Sequence, residues 1–439
     1  MRSTADIDEA GARTAPVGGV VGTAFTAATL EWYTLFLYGT AAAFVFNRLF
    51  FPTTSPLRGT LLALSTYSAG LLARPVGGVV FGQLGDRHGR KPALVRSLLV
   101  TGVATVLIGC LPSAARIGVS APVLLVLLHF AQGLGVGGGW GATVLLAVED
   151  APSRTRGWNG AWPQAGAYAG LLASTVVVVV AQAVTSEAQF VAWGWRLPFL
   201  AGASLLVMAW YLQRHLSETS VFARTEPHLD MQRAPILEVI RSHPRELLLA
   251  TGMRAGESAS LYVFAVFLLT YGPQRLGIPR PTMLAGVVLA TLVGLASTPL
   301  FGWLSDRLGR RPVSLAGAAG LLLVSLPFFS LVETRSRPLI WLAVVVAVNV
   351  AHDLLYGPQA AWFSELFATA SRYSGVSVAT QLGSLLGGGL APLLAVWALD
   401  RADVDGVVVY AYAVALLAFV CAWFAPETLG SDLDADLPR

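Results

Sequence analysis

The 439-residue chain is 55% hydrophobic and only 12% charged, with a mean hydropathy of +0.65 and a formal net charge of +4. A soluble domain carries about 25% charged residues, so the composition excludes an ordinary water-soluble enzyme and indicates a polytopic membrane protein. The small positive balance is nearly all arginine, and no basic groove with interleaved aromatics marks a nucleic-acid binder.

Residues 1–18 form a tail with Asp6, Asp8 and Glu9, lacking the basic, apolar and small-residue order of a cleaved signal peptide. The first span is expected to act as its own insertion signal. A helix needs about 20 mainly apolar residues to cross the roughly 30 Å hydrocarbon core, and twelve stretches qualify. Six, at 20–46, 60–84, 92–111, 121–148, 158–183 and 195–215, make an N-terminal bundle within 19–215. A polar cytoplasmic linker, 216–246, holds Glu218, Arg224, Asp230, Arg233, Glu238 and Arg241. Six more spans, at 247–271, 281–304, 312–332, 338–363, 373–399 and 407–425, make a C-terminal bundle within 247–426, followed by a cytoplasmic tail, 427–439. The predicted fold is therefore all-α, with twelve transmembrane helices in two pseudo-symmetric six-helix bundles. Cys110 and Cys421 lie in apolar runs near opposite faces, too far apart to bridge. Both read as buried small hydrophobes.

One phrase is written twice. Gly82-Gln-Leu-Gly-Asp86-Arg87-His-Gly89-Arg90-Lys91 returns 220 positions later as Gly302-Trp-Leu-Ser-Asp306-Arg307-Leu-Gly309-Arg310-Arg311, which marks a duplicated chain. A second match sets Glu149 and Arg156 against Glu365 and Arg372, each 216 positions on. Cytoplasmic loops carry the arginine excess. Placing both termini inside puts 18 of the 29 basic residues on that face and 9 on the other, so both termini and both copies of the phrase are expected to be cytoplasmic, in the cell's inner (plasma) membrane. The plainer reading of the phrase is turn chemistry with positive-inside retention. The more specific one is a cytoplasmic gate of Asp86, Arg87, Arg90, Glu149, Arg156, Asp306, Arg307, Arg310, Glu365 and Arg372, with Asp86 and Asp306 pairing across a seam with arginines or helix termini. Within it Glu149 is expected to work with Arg156, and Glu365 with Arg372.

Charges inside spans cost about 2.5 to 3.5 kcal/mol each on insertion scales and are functional candidates by default. They are Glu31, Arg74, Arg254, Glu257 and Asp353. Glu31 is roughly 17 Å into the first span at 1.5 Å per residue, Glu257 is at similar depth in the seventh, and the two are expected to face one another across a central cavity. Arg254 lies one turn from Glu257 on the same face. That pair is either an intrahelical salt bridge or a substrate-carboxylate clamp beside a titratable acid. Arg74 serves packing or the cavity. Because adjacent helical residues point about 100° apart, only one of His352 and Asp353 need line a cavity. His129 is a proton switch or a hydrogen-bonded structural histidine. Among the aromatics, Tyr33, Tyr262 and Tyr356 are candidate chamber walls, although helix packing accounts for most such residues.

These residues resemble the major facilitator superfamily, and within it the metabolite:proton symporters that carry shikimate, citrate, 2-oxoglutarate and proline or betaine. Beyond the twin loops the resemblance rests on Glu31-Trp-Tyr-x-x-Phe-Leu-Tyr-Gly39, Arg74-Pro-Val-Gly-Gly78, Gln132-Gly-x-x-Val-Gly-Gly138, Trp162-Pro-Gln164, Trp195-Arg-x-Pro-Phe199 and Tyr356-Gly-Pro-Gln-Ala-Ala361. Arg372-Tyr-Ser-Gly375 and Gln381-Leu-Gly-x-x-x-Gly-Gly-Gly-Leu-Ala-Pro392 extend it over nearly the whole chain. The family pattern usually has Asp at Thr34, Glu at Gly139, Arg at His129 and Asn at Ser258. Three of those four changes remove a charge that serves proton coupling.

The resemblance implies a secondary active transporter, not an enzyme, moving a small polar metabolite, an organic acid or zwitterion, by alternating access. Substrate would meet Arg254, Arg74, Tyr33, Tyr262 and Tyr356, and the coupling proton would use Glu31, Glu257, Asp353 or His129. No cofactor or metal is expected, the proton being the coupling ion. The expected partners are the small-molecule substrate and the lipid bilayer, the chain working as a monomer. The alternatives are an exporter or uncoupled facilitator of the same fold, and a transport-inactive sensor or membrane enzyme. Against the last, the chain has no metalloprotease helix, nucleophile elbow or phosphate loop.

Overall fold

The computed structural model describes residues 17–51, 56–225 and 235–433, and within these all regular structure is helical. Among the described residues nine helices are long and apolar enough to cross a membrane, or ten when the bent pair Glu187–Gly194 and Arg196–His215 counts as one crossing. Two further crossings complete the twelve. Pro56–His88 is 33 residues long but more polar, with Thr66 and Arg74 buried along it. The 56-residue stretch Thr369–Phe424 is two crossings, because Ala402 (φ −144°) and Asp403 (φ 51°) leave helical geometry. A Cβ on Gly406 would lie 2.3 Å from the Ala398 carbonyl oxygen, whereas eight residues of continuous helix would hold them about 12 Å apart.

In chain order the spans are one, Gly18–Phe50; two, Pro56–His88; three, Arg90–Cys110; four, Ser120–Val148; five, Arg156–Ala183; six, the bent pair; seven, Pro244–Leu276; eight, Arg280–Leu308; nine, Arg310–Glu333; ten, Arg337–Leu366; eleven, 369–401; and twelve, 404–424. Proline opens spans seven, eight and ten, where its missing N–H deprives the helix of nothing. Gly89 (φ 102°) and Gly309 (φ 104°) make the twin turns from span two to three and from eight to nine. A side chain would be strained at either.

Apolar side chains such as Val180 in span five, Leu323 in nine, Leu393 in eleven and Val409 in twelve point outward, as a lipid-facing surface requires. Inside, Tyr38, Phe46, Trp195 and Phe199 form a core in the N-terminal bundle, and Phe264, Leu321, Phe328 and Val344 one in the C-terminal bundle. A third cluster joins the halves, packing Trp140 and Val144 of span four with Met253, Trp362, Phe363 and Val376.

Four expectations are corrected. Span six begins at Glu187, capped by Ser186, because a wide π-helical turn, Phe190–Gly194, carries the chain through the bend. The linker is not merely polar: Ser220–Thr225 and Pro235–Ser242 are helical and Val239 is fully buried. The C-terminal tail is tied down as far as Leu433, whose carbonyl accepts from Thr369 and Arg372. Cys110 is exposed at the end of span three, while Cys421 is buried as expected.

Candidate functional site

Both copies of the repeated loop close onto the other half of the protein. Asp86, at the end of span two, accepts hydrogen bonds from the backbone N–H groups of Tyr373 (3.0 Å) and Ser374 (2.8 Å), at the start of span eleven. Asp306, at the end of span eight, accepts from Gly157 and Trp158 (both 2.8 Å), at the start of span five. The first turn of a helix has unpaired N–H groups and the positive end of its dipole, so each aspartate clamps a helix of the opposite bundle. Arg90 and Arg310, fully buried, hold these aspartates at 3.4 and 2.7 Å and reach Glu149 at 3.0 Å and Glu365 at 3.2 Å.

The acids then exchange partners. Glu149 pairs with Arg372 at 3.3 Å and Glu365 with Arg156 at 3.8 Å. The within-half pairs expected from sequence proximity are replaced by pairs between halves, since Glu149 ends span four and faces span eleven. Arg307 instead covers the exposed face of Trp303 at 4.1 Å, outside the carboxylate cluster, and Arg87 takes the equivalent register, half-buried.

Two residues of each charge cluster lie outside the set expected from sequence. Glu218 accepts from the N–H groups of Arg90 (2.9 Å) and Lys91 (3.1 Å), and Glu427 from those of Arg310 and Arg311 (both 3.0 Å). The next residue, Thr219 or Thr428, donates its hydroxyl to Glu149 or Glu365 at 2.6 Å. A Glu-Thr dipeptide repeated 209 positions apart, after spans six and twelve, was the signal available.

Burial pushes the Glu149 carboxyl up, but Arg90, Arg372 and Thr219 together hold it below the usual range. Glu218 is raised by burial.

The midplane charges lie deeper. In span two, Arg74 backs onto Gly137 of span four, whose Cβ would strike the Arg74 carbonyl oxygen at 2.1 Å. In span seven, Arg254 backs onto Gly383, and Ala255 onto Gly387, of span eleven. The glycine-rich runs of spans four and eleven thus let backbones approach and set one arginine in each half. Arg74 bonds across the seam, whereas Arg254 bonds within its own half and meets the other only at a ring. Arg74 Nε donates to Gln381 Oε1 of span eleven at 2.9 Å and its guanidinium lies 5.5 Å from the Trp32 ring. Arg254 donates to Ser384 (3.0 Å) and Gln359 (3.4 Å) and lies near the rings of Tyr356 (5.2 Å) and Trp140 (6.0 Å), the last from the N-terminal half. The two arginines and Tyr262 are electrostatic neighbours. Arg74 is 6% exposed and Arg254 4%, so both guanidinium groups are shielded from solvent.

Glu31 and Glu257 have different surroundings. Glu31 is buried against Gly139, filling the room a side chain there would need, and among the described residues its Oε1 meets no hydrogen-bond partner. Glu257 faces Arg254 (3.0 Å) through one oxygen and His352 (2.5 Å) through the other. His352 also bonds Asp353 (2.9 Å), which accepts from Tyr168, Ser297 and Asn349. Both adjacent residues therefore join one network, at the end of the π-helical turn Val346–His352. Two candidates fall outside the chamber. Tyr33 donates to the Pro198 carbonyl at 2.6 Å within its own bundle, and His129 stacks on Tyr38 with ring centres 3.4 Å apart while bonding Gln132.

Two six-helix bundles joined by matched charge clusters at one face define a transporter of the major facilitator fold. The chain belongs to the sugar (and other) transporter family of that superfamily, which matches residues 20–435. It is 39% identical over 373 residues to the shikimate transporter of Escherichia coli K12, covering 84% of this chain and 85% of that one. It is 34% identical over 416 residues to the inner membrane metabolite transport protein YhjE of the same organism, covering 94% of this chain and 93% of that one. Among solved structures it resembles the proton:xylose symporter XylE bound to 6-bromo-6-deoxy-D-glucose, with a TM-score of 0.75 at 18% identity over 95% of this chain and 98% of that one. It is a multi-pass membrane transporter of small molecules, not an enzyme.

Proposed function

We propose that the protein imports a small organic acid or zwitterion into the cell together with protons, with its twin loops and both termini on the cytoplasmic side of the inner membrane. The observation that carries this reading is the pair of buried arginines at the seam, one from each half, Arg74 bonded to Gln381 of the other half and Arg254 beside the Trp140 ring of the other. A guanidinium binds a carboxylate through two parallel hydrogen bonds, and a carboxylate held by Arg74 and Arg254 would draw the halves together around it. Trp32, Trp140, Tyr262 and Tyr356 supply an aromatic wall for a small ring or a quaternary ammonium. The gate described above is the closed arrangement of the cytoplasmic face, and rocking the bundles apart there would break the Asp86 and Asp306 clamps together. The similarity to a shikimate transporter supports the carboxylate class, and the arginine excess on the loop face supports the orientation.

The test is uptake into proteoliposomes of shikimate, citrate, 2-oxoglutarate and glycine betaine, with and without an imposed inward proton gradient. Accumulation of a carboxylate or betaine only with the gradient is expected. Failure of all of them to enter would reject the substrate class, and uptake indifferent to the gradient would reject symport.

A further inference from the structure

We propose that Glu257, His352 and Asp353 form the site of the coupling proton, and that the proton resides on His352 in the closed conformation; this rests on the transport reading above. His352 turns both ring nitrogens onto carboxylate oxygens, Nε2 to Glu257 Oε1 at 2.5 Å and Nδ1 to Asp353 Oδ1 at 2.9 Å. A neutral imidazole has one N–H and one lone pair. Between two ionised carboxylates its lone pair would point at an oxygen lone pair, so the arrangement requires one proton more than neutral histidine and two carboxylates supply.

The surrounding donors locate that proton. Asp353 accepts from Tyr168 (2.6 Å) and His352 on one oxygen and from Ser297 (2.5 Å) and Asn349 (3.1 Å) on the other. The Asn349 amide nitrogen can only donate, and Asp353 is the acceptor recorded for the Tyr168 hydroxyl, so each Asp353 oxygen has a donor that suits the ionised form. Glu257 faces Arg254 at 3.0 Å through its second oxygen, which likewise favours the ionised form. The extra proton is therefore on the imidazole. Arg254 and His352 then balance Glu257 and Asp353, and losing the proton would strand a net negative charge inside the membrane, where an uncompensated charge is costly.

Among the described residues the groups facing His352 are few. Span seven presents Glu257 and, through it, Arg254; span five presents Tyr168; its own span presents Asp353 and Tyr356, the last with ring centres 5.2 Å apart. Span eight adds the uncharged Ser297, and span nine packs Gly317 and Gly320 against Ala351. Tyr168 belongs to the N-terminal half, so the proton site straddles the seam that moves.

Glu257 is the link to substrate. It shares its charge between Arg254 and His352, one oxygen to each. A substrate carboxylate that takes both N–H groups of Arg254 leaves Glu257 dependent on the His352 imidazolium, so the loaded carrier needs the proton. When substrate leaves to the inside, Arg254 returns to Glu257 and an imidazolium exposed to water can release its proton, so the empty carrier recloses without the doubly bonded His352 arrangement seen here. The balance is one proton per monoanion, moving no net charge.

Two measurements decide the proposal. The first uses no substrate: ¹⁵N NMR of histidine-labelled full-length protein in nanodiscs at pH 7.5, the His352 signal being the one lost in His352→Gln, or assigned by replacing the other histidines if that variant does not fold. Both His352 nitrogens are expected to be protonated in the wild type, with a shift toward neutral imidazole in Glu257→Gln and Asp353→Asn. A neutral His352 in the wild type overturns the proposal. The second is shikimate uptake into proteoliposomes. A pH gradient of one unit is worth about 1.4 kcal/mol and drives accumulation of about tenfold at one proton per substrate. In His352→Gln the gradient should no longer change the internal level, whatever the rate of entry, and about tenfold accumulation by that variant overturns the proposal. If the wild type carries no shikimate, the substrate reading fails while the NMR measurement still decides the proton site.

Discussion

The guanidinium of Arg372, in the C-terminal half, lies 3.3 Å from the carboxylate of Glu149, in the N-terminal half. Arg90 approaches the same carboxylate at 3.0 Å, so one acid holds two arginines of different bundles. The contact joins the two halves rather than belonging to either bundle's core, and in the alternating-access reading proposed above it would hold this face closed.

Glu149→Gln should therefore open the loop face. It leaves two buried guanidinium groups without their shared counter-charge, and breaking a buried pair by removing one partner costs about 3 to 5 kcal/mol. Ser377, fully buried between Gly78 and Gly141 at the seam, is a reporter site. A cysteine placed there should react with maleimide more than about a hundredfold faster in Glu149→Gln than in the parent, since 1.4 kcal/mol is tenfold. Unchanged labelling would show that the contact does not hold the gate.

The Glu149 contact should make closure pH-dependent. Burial raises its carboxyl, but Arg90, Arg372 and Thr219 outweigh that and hold it below the usual range. The closed form therefore binds the proton less tightly than the open one, so the Glu149 contribution to closure is present above the ordinary carboxylate range and is lost as pH falls through and below it. Cysteine labelling at position 377, corrected for the thiol's own pH dependence, should accordingly quicken as pH falls below about 4, and Glu149→Gln should flatten that profile.

Spans five and eight cross with almost no side chain between them. A Cβ on Gly302 would lie 2.4 Å from the Gly157 carbonyl oxygen, and one on Gly157 would lie 2.3 Å from that of Gly302. Backbone atoms cannot swing aside, so either alanine substitution should push the bundles apart at a cost of about 1 to 3 kcal/mol. Faster labelling at position 377 is expected in Gly157→Ala and Gly302→Ala. Gly22→Ala, where nothing lies within 4 Å, should leave the labelling rate where it was.

Arg254→Lys should weaken substrate without emptying the chamber. The ammonium keeps the charge but cannot span Ser384, Gln359 and Glu257 as the guanidinium does. Loss of one charge-assisted hydrogen bond, about 1.5 to 3 kcal/mol, should raise the half-saturating shikimate concentration at least about tenfold. A Lys variant with wild-type affinity would remove Arg254 from the binding site.

Much of the architecture was legible because it is written in hydropathy and in spacing. The twin Asp-Arg-x-Gly-Arg loops could be matched by eye, and the prediction that Asp86 and Asp306 meet arginines or helix termini agrees with the geometry of both. Partner choice was not legible in the same way. Glu149 lies seven positions before Arg156, yet pairs with an arginine more than two hundred positions on, because the two bundles are related by rotation and oppose unlike ends of their spans. His352 and Asp353 read as alternatives in sequence for a local reason. Helical geometry sets neighbours about 100° apart, but a side chain at the end of a π-helical turn can reach back to the next residue and outward to span seven at once. His129 illustrates the converse, a titratable residue at membrane depth whose ring is stacked on Tyr38 behind the chamber.

By itself the sequence determined that this is a duplicated, helical membrane transporter, since burial in lipid forces long apolar segments and duplication leaves its copies at a fixed offset. Only the tertiary structure decided which charges meet. Ion pairs and proton sites depend on distances of a few ångströms between spans far apart in the chain, and those are set by how closely the glycines of spans two, four, seven and eleven let the helices approach.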